Sequence, residues 1–294
     1  MIRPLYNLHN LQKDPLVKPF LKWAGGKRQL LLEIKNHLPD NMDDLRYFEP
    51  FVGAGALFLE LQPYRAVIND YNEELILSYK VIKENVIGLI EALKAHKEQN
   101  NDDYFYQVRE QDRDRDAFAA LTDVTKAARL IYLNKTCYNG LYRVNSRGHF
   151  NVPYGRYANP SIYDEPVLIA IHEYLNQGNI KILNGDFSNA VENAGQDSFI
   201  YFDPPYHSRN KTGFTGYQAG GFNDDDQRRL RDVFAAKTET RAKCLISNSD
   251  TPFIRELYCD SRFEIITVKA KRAINSAAAG RGEINEVLIK NYSE

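Results

Sequence analysis

Cysteine is scarce in this sequence, and its scarcity limits both the fold and the compartment. The chain has three cysteines, Cys137, Cys244 and Cys259, at widely separated positions. An odd, scattered set excludes a disulfide framework and predicts reduced thiols, as in a cytoplasm. No two of the three have the spacing of a metal site, so no metal ion is expected. A signal peptide and long apolar runs are also lacking, which predicts a cytoplasmic protein that has no membrane partner.

An excess of charge of either sign is lacking as well. The 294 residues carry 38 basic and 39 acidic side chains, for a net charge of −1. The field of the whole molecule therefore argues neither for nor against a nucleic-acid partner, and only a local basic surface could do so. Hydrophobic residues make up 43% of the chain. A chain of this length and composition predicts one large globular domain with an insertion, or two domains.

Acidic residues are absent from one long segment. Between positions 124 and 163 the chain has no Asp or Glu, while basic residues and tyrosines are interleaved. Residues 145–148 predict a turn between two short strands. In a chain of balanced charge, such a segment indicates a nucleic-acid-binding face. The alternative is a core hairpin whose arginines extend along its surface. The residues concerned are Lys126, Arg129, Lys135, Arg143, Arg147 and Arg156, with Tyr132, Tyr138, Tyr142, Tyr154 and Tyr157.

The most distinctive motif is Tyr201-Phe202-Asp203-Pro204-Pro205-Tyr206. The apolar run 198–202 predicts a buried strand that ends at Asp203, and open α/β sheets bind ligands at the carboxyl ends of their strands. Two consecutive prolines fix φ and lack N–H donors, so a carboxylate and a rigid carbonyl stand together, with an aromatic ring behind them. Two acceptors and a ring suit a planar group that bears an NH2. The alternative is a proline-rich turn in which Tyr206 packs as an ordinary aromatic residue.

A cofactor site is predicted in the first quarter of the chain. Residues 47–61 predict a strand, a turn with Gly53 and Gly55, and a helix, and residues 66–70 predict a second strand that ends at Asp70. Glycines let a cofactor approach the backbone, and an acid at the tip of the next strand accepts hydrogen bonds from ribose hydroxyls. This is the layout of an adenosine-type cofactor site. Phe58 stands where the dinucleotide pattern has its third glycine, which disfavours a nicotinamide cofactor.

A second glycine turn precedes the first predicted helix. Trp23 and Lys27 flank the pair Gly25-Gly26, and apolar residues at helical spacing follow until Pro39. The start of such a helix can hold an anion or a cofactor carboxylate. An ordinary turn into a helix is the alternative.

The remaining segments predict helices and strands around these motifs. Residues from about 72 to 135 have helical apolar spacing, and residues 181–187 predict a third strand that ends in Asp186. Further strands are predicted at 244–247, 263–268 and 286–289, with a helix from near Asn223. The polar segment 207–221 is a candidate lid or substrate-contacting loop, and the basic segment 269–282 is a second candidate DNA-facing loop.

Together these motifs resemble those of the Dam-type DNA adenine N6-methyltransferases, most of all the enzymes of GATC-specific restriction–modification systems. The resemblance runs from about residue 19 to residue 292. It implies an α/β fold, with a Rossmann-like sheet that binds S-adenosylmethionine (SAM) and an inserted, mostly helical DNA-recognition domain that carries a β-hairpin. Residues 1–75 and 161–294 would form the catalytic domain, and residues 76–160 the recognition domain. The resemblance rests on Phe20-Leu21-Lys22-Trp23-Ala24-Gly25-Gly26-Lys27, Glu49-Pro50-Phe51-Val52-Gly53-Ala54-Gly55, Asn151-Val152-Pro153-Tyr154-Gly155-Arg156-Tyr157 and Asp203-Pro204-Pro205-Tyr206.

The resemblance also implies roles for individual residues. Asp203 would accept hydrogen bonds from the amino group of the target adenine, helped by the Pro204 carbonyl, and Tyr206 would stack on the flipped base. The implied SAM-binding residues are Trp23, Lys27, Phe51, Gly53, Gly55, Asp70, Asp186, Phe187 and Asp203. The implied DNA contacts are Lys22, Tyr138, Asn139, Leu141, Arg143, Pro153 and Tyr157. The implied partners are double-stranded DNA and, as a candidate, a cognate restriction endonuclease that acts separately, with protection of host DNA as the expected role.

The chemistry of the proline motif agrees with an adenine substrate. The exocyclic nitrogen of adenine donates its lone pair into the ring, so acceptors aimed at its hydrogens stabilise mainly the transition state of methyl transfer. No covalent intermediate is needed. Cytosine N4 and RNA adenine methyltransferases are alternatives within the enzyme class, although the cytosine enzymes more often have Ser-Pro-Pro where this chain has Asp203. A catalytically silent SAM-fold protein that only binds DNA is the alternative from another class.

Overall fold

The computed structural model describes residues 13–23, 30–208, 221–271 and 283–293. Three features predicted from the sequence lie outside these ranges. They are Lys27 with its glycine pair, the segment 209–220 of the candidate lid, and the segment 272–282 of the second candidate DNA-facing loop. Within the described ranges, no helix is both long enough and apolar enough to cross a bilayer.

The centre of the protein is a seven-stranded sheet. Its strands are β1 (Arg46–Glu49), β2 (Arg65–Asp70), β3 (Asn179–Asn184), β4 (Ser198–Phe202), β5 (Lys243–Ser249), β6 (Glu264–Lys271) and β7 (Glu283–Lys290). Their spatial order is β3-β2-β1-β4-β5-β7-β6. The first five strands run parallel, whereas β7 is antiparallel to both of its neighbours. The strand order reverses between β1 and β4, which creates a ligand-binding crevice at their carboxyl ends. The predicted Rossmann-like sheet is confirmed.

Most helices of the described residues begin at a side chain that caps their first amides. Asn223 illustrates this: its side chain accepts from two backbone amides, and the Asp226 carboxylate accepts from the Asn223 backbone amide, which completes a capping box. The predicted helix start near Asn223 is thereby confirmed. The helices are α1 (Leu31–Asn36), α2 (Ala56–Leu61), α3 (Glu73–Gln99), α4 (Asp102–Glu110), α5 (Arg115–Ala119), α6 (Asp123–Thr136), α7 (Glu165–Gln177), α8 (Phe187–Ala190), α9 (Asp224–Glu239) and α10 (Pro252–Leu257).

The chain between β2 and β3 is largely helical and ends in an irregular hairpin. The two short strands predicted around residues 145–148 are replaced by two isolated bridges, Cys137 with Tyr154 and Val144 with Phe150. Pro153 has no amide hydrogen for a ladder, and Asn139 and Arg156 have left-handed φ angles of 57° and 52°, so the chain cannot stay extended. The turn itself is present, because the Gly148 amide donates to the Asn145 carbonyl at 2.9 Å.

Hydrophobic clusters cover both faces of the sheet. Along β4, Phe199 and Tyr201 contribute to the cluster that contains α3, α6 and α7, whereas Ile200 and Phe202 contribute to the cluster that contains α9 and α10. This strand is buried on both sides, as expected for a central parallel strand. The inserted helices share their core with the sheet, and α3 crosses position 76 without a break. Residues 76–160 are therefore an insertion in the order of the chain, and their division from the rest as a separate domain stays a prediction.

Part of the acid-free segment belongs to the core, contrary to the interpretation of the whole segment as a binding face. Arg129 is 1% exposed and forms ion pairs with Glu74 at 3.1 Å and Asp112 at 2.9 Å. Tyr132 is fully buried. Both residues lie on α6, whose helical period turns them towards α3 and α4. The acids that neutralise Arg129 come from outside the segment, so charge counting within it could not detect the pairing.

Candidate active site

Several acidic and polar side chains meet at the carboxyl edge of the central strands. Glu49 ends β1, Asp70 ends β2 and Asp203 follows β4. Ser247 lies near the end of β5. Because Phe202 pairs with Ile246, the next residues of the two strands, Asp203 and Ser247, are neighbours. The predicted placement of Asp203 and Asp70 at strand ends is confirmed.

Asp203 accepts a hydrogen bond from the neighbouring strand β5. The Ser247 hydroxyl donates to Asp203 Oδ1 at 2.8 Å, and the Tyr201 hydroxyl lies 2.9 Å from Ser247 Oγ. Tyr201 and Ser247 are fully buried, whereas Asp203 is half-buried at the edge of the crevice. The carboxylate therefore has a fixed support on its protein side.

The residues after Asp203 are fixed just as closely. The Gln227 side chain donates to the Pro205 carbonyl at 2.9 Å, and Asn248 in turn donates to Gln227 at 3.0 Å. The Tyr206 hydroxyl donates to Glu286 Oε2 on β7 at 3.0 Å. Burial, reinforced by the charge of Asp203, raises the pKa of Tyr206 well above its ordinary value. Tyr206 therefore stays a neutral phenol whose ring is anchored at both ends.

The glycine turn between β1 and α2 encloses the carboxylate of Asp70. Gly53 N donates to Asp70 Oδ2 at 3.0 Å and Asn72 N donates to Oδ1 at 2.9 Å. Burial raises the pKa of Asp70, and these amide bonds oppose the rise. Gly55 has φ +72°, and a Cβ there would lie 2.6 Å from the Tyr79 hydroxyl. This position requires glycine both for its backbone conformation and for space.

Trp23 lies against the same turn. A Cβ at Gly53 would be 3.2 Å from Trp23 Cδ1, so the indole edge and the glycine backbone form one wall. The Trp23 ring also stacks on Tyr142 with centroids 5.0 Å apart. Two elements separated by more than a hundred residues thus meet at this wall. Trp23, Gly53, Gly55 and Asp70, predicted as one group, are brought together.

An aromatic cluster lies beyond the turn. The rings of Phe51 and Phe187 stack at 5.2 Å, and Phe222 packs edge-on against Phe51 at 5.8 Å. Asp186 precedes Phe187 as the N-cap of α8, where it accepts from Ser188 and forms an ion pair with Arg229 at 2.6 Å. The prediction that β3 ends in this acid is wrong, because the strand stops at Asn184 and Gly185 turns the chain with φ 131°.

The predicted DNA contacts cluster around the hairpin. The Lys22 ammonium lies 5.6 Å from the centre of the Tyr157 ring, and the Tyr157 hydroxyl accepts from the Asn139 amide at 2.9 Å. The Tyr138 amide donates to the Pro153 carbonyl at 2.9 Å. Arg143 on the hairpin is exposed, whereas Leu141 is half-buried. Six of the seven predicted contacts lie in residues 138–157, and Lys22 reaches the same surface from the segment before Trp23.

The comparison with protein families identifies the chain. Residues 23–274 match the family described as D12 class N6 adenine-specific DNA methyltransferase. The chain belongs to this family. It is an adenine-specific DNA methyltransferase, which confirms the predicted enzyme class and favours adenine over the cytosine alternative.

Individual relatives cover nearly all of the methyltransferase. It is 45% identical to the Type II methyltransferase M1.LlaDCHI of Lactococcus lactis subsp. cremoris, over 96% of this chain and 98% of that protein. It is 37% identical to the DNA adenine methylase of Haemophilus influenzae, over 98% of each chain. The DNA adenine methylase of Escherichia coli strain K12 is 35% identical, over 92% of this chain and 94% of that protein. The likeness is therefore not confined to the motifs.

Sequence reasoning missed several residues that support the methyltransferase site. Ser247 and Glu286 contact the proline motif, and Glu49 lies among the acids at the strand ends. In β5, as in β4, an apolar strand ends in polar residues, and this pattern could have indicated Ser247. Glu49 is 3% exposed and accepts from the Tyr47 hydroxyl at 2.7 Å. Burial raises its pKa well above the ordinary value, the Tyr47 bond lowers it, and the charge of Asp203 raises it further.

A buried asparagine links the two parts of the surface that carries the predicted DNA contacts, and it was also missed. Asn134 on α6 accepts from the Lys22 amide at 2.9 Å and donates to the carbonyls of Lys22 and Gly140 at 2.7 and 3.0 Å. Its amide group thereby joins the segment before Trp23 to the turn of the hairpin. No periodic pattern singles out an asparagine within an apolar helix face, although a polar residue at such a position is itself a signal of internal hydrogen bonding.

Proposed function

We propose that this methyltransferase transfers a methyl group from SAM to the N6 nitrogen of adenine in duplex DNA, within the sequence GATC. The observation that carries the proposal is Asp203 at the switch point of the sheet, followed by two prolines and the anchored ring of Tyr206. This arrangement offers acceptors and a stacking surface for an adenine amino group and its ring.

The described residues fit SAM as the methyl donor. A Cβ at Gly53 or Gly55 would come within 3.2 or 2.6 Å of its neighbours, so the turn is narrow enough to need bare backbone. Asp70, braced by two amides, suits ribose hydroxyls, and Phe51 and Phe187 offer apolar faces for an adenine ring. Trp23 lines the methionine end of SAM in this arrangement, and Lys27 and Asp186 are proposed as further SAM contacts. When bound, SAM supplies an electrophilic methyl group on a sulfonium.

The protein's part in the transfer is to orient the target base. Asp203 and the Pro204 carbonyl accept from the two hydrogens of the adenine amino group, so its lone pair turns out of the ring plane. Their interaction grows as positive charge develops on that nitrogen, which makes it a transition-state interaction. The in-line placement of base and donor contributes much of the remaining acceleration.

Access to the base requires that it leave the DNA stack. The Tyr206 ring replaces part of the lost stacking, and its hydroxyl bond to Glu286 fixes the position of the far end of the ring while the base arrives. A rigid ring binds the flipped base without a further loss of side-chain freedom.

Sequence recognition is assigned to the hairpin and to Lys22. The guanidinium of Arg143 suits the two acceptors of guanine in the major groove, and the apolar surfaces of Leu141 and Pro153 suit the thymine methyl group. These complementarities are compatible with GATC, and the resemblance to GATC-specific enzymes supplies the order of bases. The Type II name of the Lactococcus relative supports a role in protecting host DNA beside a separate restriction endonuclease in the cytoplasm.

Methylation of a plasmid that lacks prior adenine methylation tests the proposal. The purified protein is incubated with SAM, and modified bases are mapped by sequencing, with a reaction without SAM as control. We expect N6-methyladenine at the adenine of GATC and at no other recurring sequence. Modification of a different motif overturns the GATC assignment, and modification without added SAM overturns the donor.

A further inference from the structure

The support beneath Asp203 has a defined direction. As a carboxylate, Asp203 only accepts, so the single hydroxyl proton of Ser247 points at Asp203 Oδ1, 2.8 Å away. Ser247 Oγ is then an acceptor towards Tyr201, whose hydroxyl lies at 2.9 Å. Burial, followed by the charge of Asp203, raises the pKa of Tyr201 well above its ordinary value. The phenol keeps its proton, and the three residues form a chain of donors that ends on the carboxylate.

Strand register, rather than a flexible loop, sets this geometry. Tyr201 pairs with Leu245 and Phe202 with Ile246 between β4 and β5, while Ser247 pairs with Leu288 on β7. Ser247 is thus enclosed between two strands and is 0% exposed. The torsion that rotates an Asp carboxylate is otherwise broad. A buried donor on one oxygen restricts this rotation.

We propose that Ser247, oriented by Tyr201, is a positioning residue for methyl transfer. Its hydroxyl holds the Asp203 carboxylate in the one rotational setting that aligns an acceptor with the hydrogens of the target amino group. The inference rests on the proposed catalytic role of Asp203. Ser247 itself touches neither the DNA nor the cofactor in this account, so its removal slows the chemical step and leaves the binding steps intact.

The test is the single-turnover rate of methyl transfer with saturating DNA and SAM, measured beside the SAM dissociation constant. Ser247→Ala loses a hydrogen bond to a charged group, so we expect the rate to fall about 10- to 100-fold. The SAM dissociation constant stays within about twofold, because no contact to SAM is lost. Ser247→Thr keeps the hydroxyl and recovers most of the rate. Tyr201→Phe removes only the second donor and lowers the rate about 2- to 10-fold.

Matched controls separate positioning from general loss of buried hydroxyls. Ser198 is a buried serine at the opposite end of β4 whose oxygen accepts from the Gly195 amide at 3.1 Å. Tyr258 is a buried tyrosine whose hydroxyl has no hydrogen-bond partner among the residues that the structure describes. Ser198→Ala and Tyr258→Phe therefore report the effect of the same atom changes away from Asp203. Both are expected to keep the wild-type rate.

The outcomes distinguish this inference from the proposal on which it rests. Wild-type transfer by Asp203→Ala would refute the catalytic role of Asp203 itself. If Asp203→Ala loses activity while Ser247→Ala keeps the wild-type rate, only the positioning role is refuted. The inference is also refuted if Ser247→Thr does not restore the rate and if Ser247→Ala loses SAM affinity and melting temperature together with its transfer rate. If Ser247→Ala does not fold, Tyr201→Phe decides, and a wild-type rate in that variant overturns the inference.

Discussion

Arg143 offers a sharp test of sequence recognition, because the structure shows how its guanidinium is held. Arg143 Nε donates to Asn151 Oδ1 at 2.7 Å, and one terminal nitrogen donates to the Asn151 carbonyl at 3.2 Å. The Asn151 backbone amide donates to the Arg143 carbonyl at 3.0 Å. Two of the five N–H groups of a guanidinium are engaged in this way. Three are left, which is enough for a two-bond contact with guanine.

The expected size of the effect follows from this arrangement. Arg143→Ala should lower discrimination at one outer G·C pair by about 1–3 kcal/mol, the range of a good two-bond contact between a side chain and a base. Asn151→Ala keeps the guanidinium and the bond to the carbonyl of residue 151, and it removes the side-chain acceptor of Arg143 Nε. The cost of ordering a free arginine is about 0.5–1.5 kcal/mol, so we expect a smaller loss at the same base pair. Arg147, exposed beside the turn, is the control for a contact to phosphate alone.

The assay compares kcat/KM on short duplexes that carry GATC or one of its single-base variants. Arg143→Ala and Asn151→Ala should change the ratio between the cognate site and variants at one position, in that order of size. Arg147→Ala, as the loss of a phosphate contact, should lower kcat/KM on all duplexes alike, leave the ratios unchanged and reduce the salt dependence by about one unit of slope. Should Arg143→Ala slow every duplex equally, Arg143 contacts the backbone, and base recognition belongs to other residues.

Two further predictions concern the acids at the strand ends. Asp70→Ala should weaken SAM binding by about 1.5–3 kcal/mol, and it should also lower the free energy of unfolding, because the Gly53 and Asn72 amides lose their acceptor. Calorimetry that finds unchanged SAM affinity would limit Asp70 to bracing the turn. Glu49→Gln should raise the free energy of unfolding of the ligand-free protein above pH 4.5, the ordinary pKa of this group. Because the pKa of Glu49 is raised in the folded protein, the free energy of unfolding of the wild type falls as pH rises from the ordinary pKa to the folded pKa. The fall is up to about 1.4 kcal/mol per pH unit. The difference should vanish on acidification, and a difference that is flat between pH 4 and pH 8 contradicts the burial argument.

The sequence was most informative where a local pattern alone determines a structure. The apolar run before Asp203 had to be a strand, and the prolines behind it had to end that strand. Gly53 and Gly55 were recognisable because a tight turn needs them. Asp70 was predictable since it ends the next apolar run.

The parts that could not be predicted depend on contacts between distant segments. Arg129 was counted as surface charge, and only the packing of α6 against α3 and α4 brings Glu74 and Asp112 to it. Ser247 meets Asp203 across more than forty residues because β5 pairs with β4. Asp186 was expected at a strand tip, but Gly185 ends the strand early and Asp186 caps α8. In each case the partner is fixed by strand order or helix packing, which no single segment specifies.

The central claim is that Asp203 promotes methyl transfer without being needed to bind the donor. The most direct measurement is single-turnover methyl transfer by Asp203→Ala to a duplex with one GATC site, together with calorimetric titration of SAM. The account predicts SAM binding close to that of the wild type and a transfer rate lower by at least about 10²–10³, the typical cost of losing one preorganised electrostatic contact. Transfer at the wild-type rate by Asp203→Ala would contradict it.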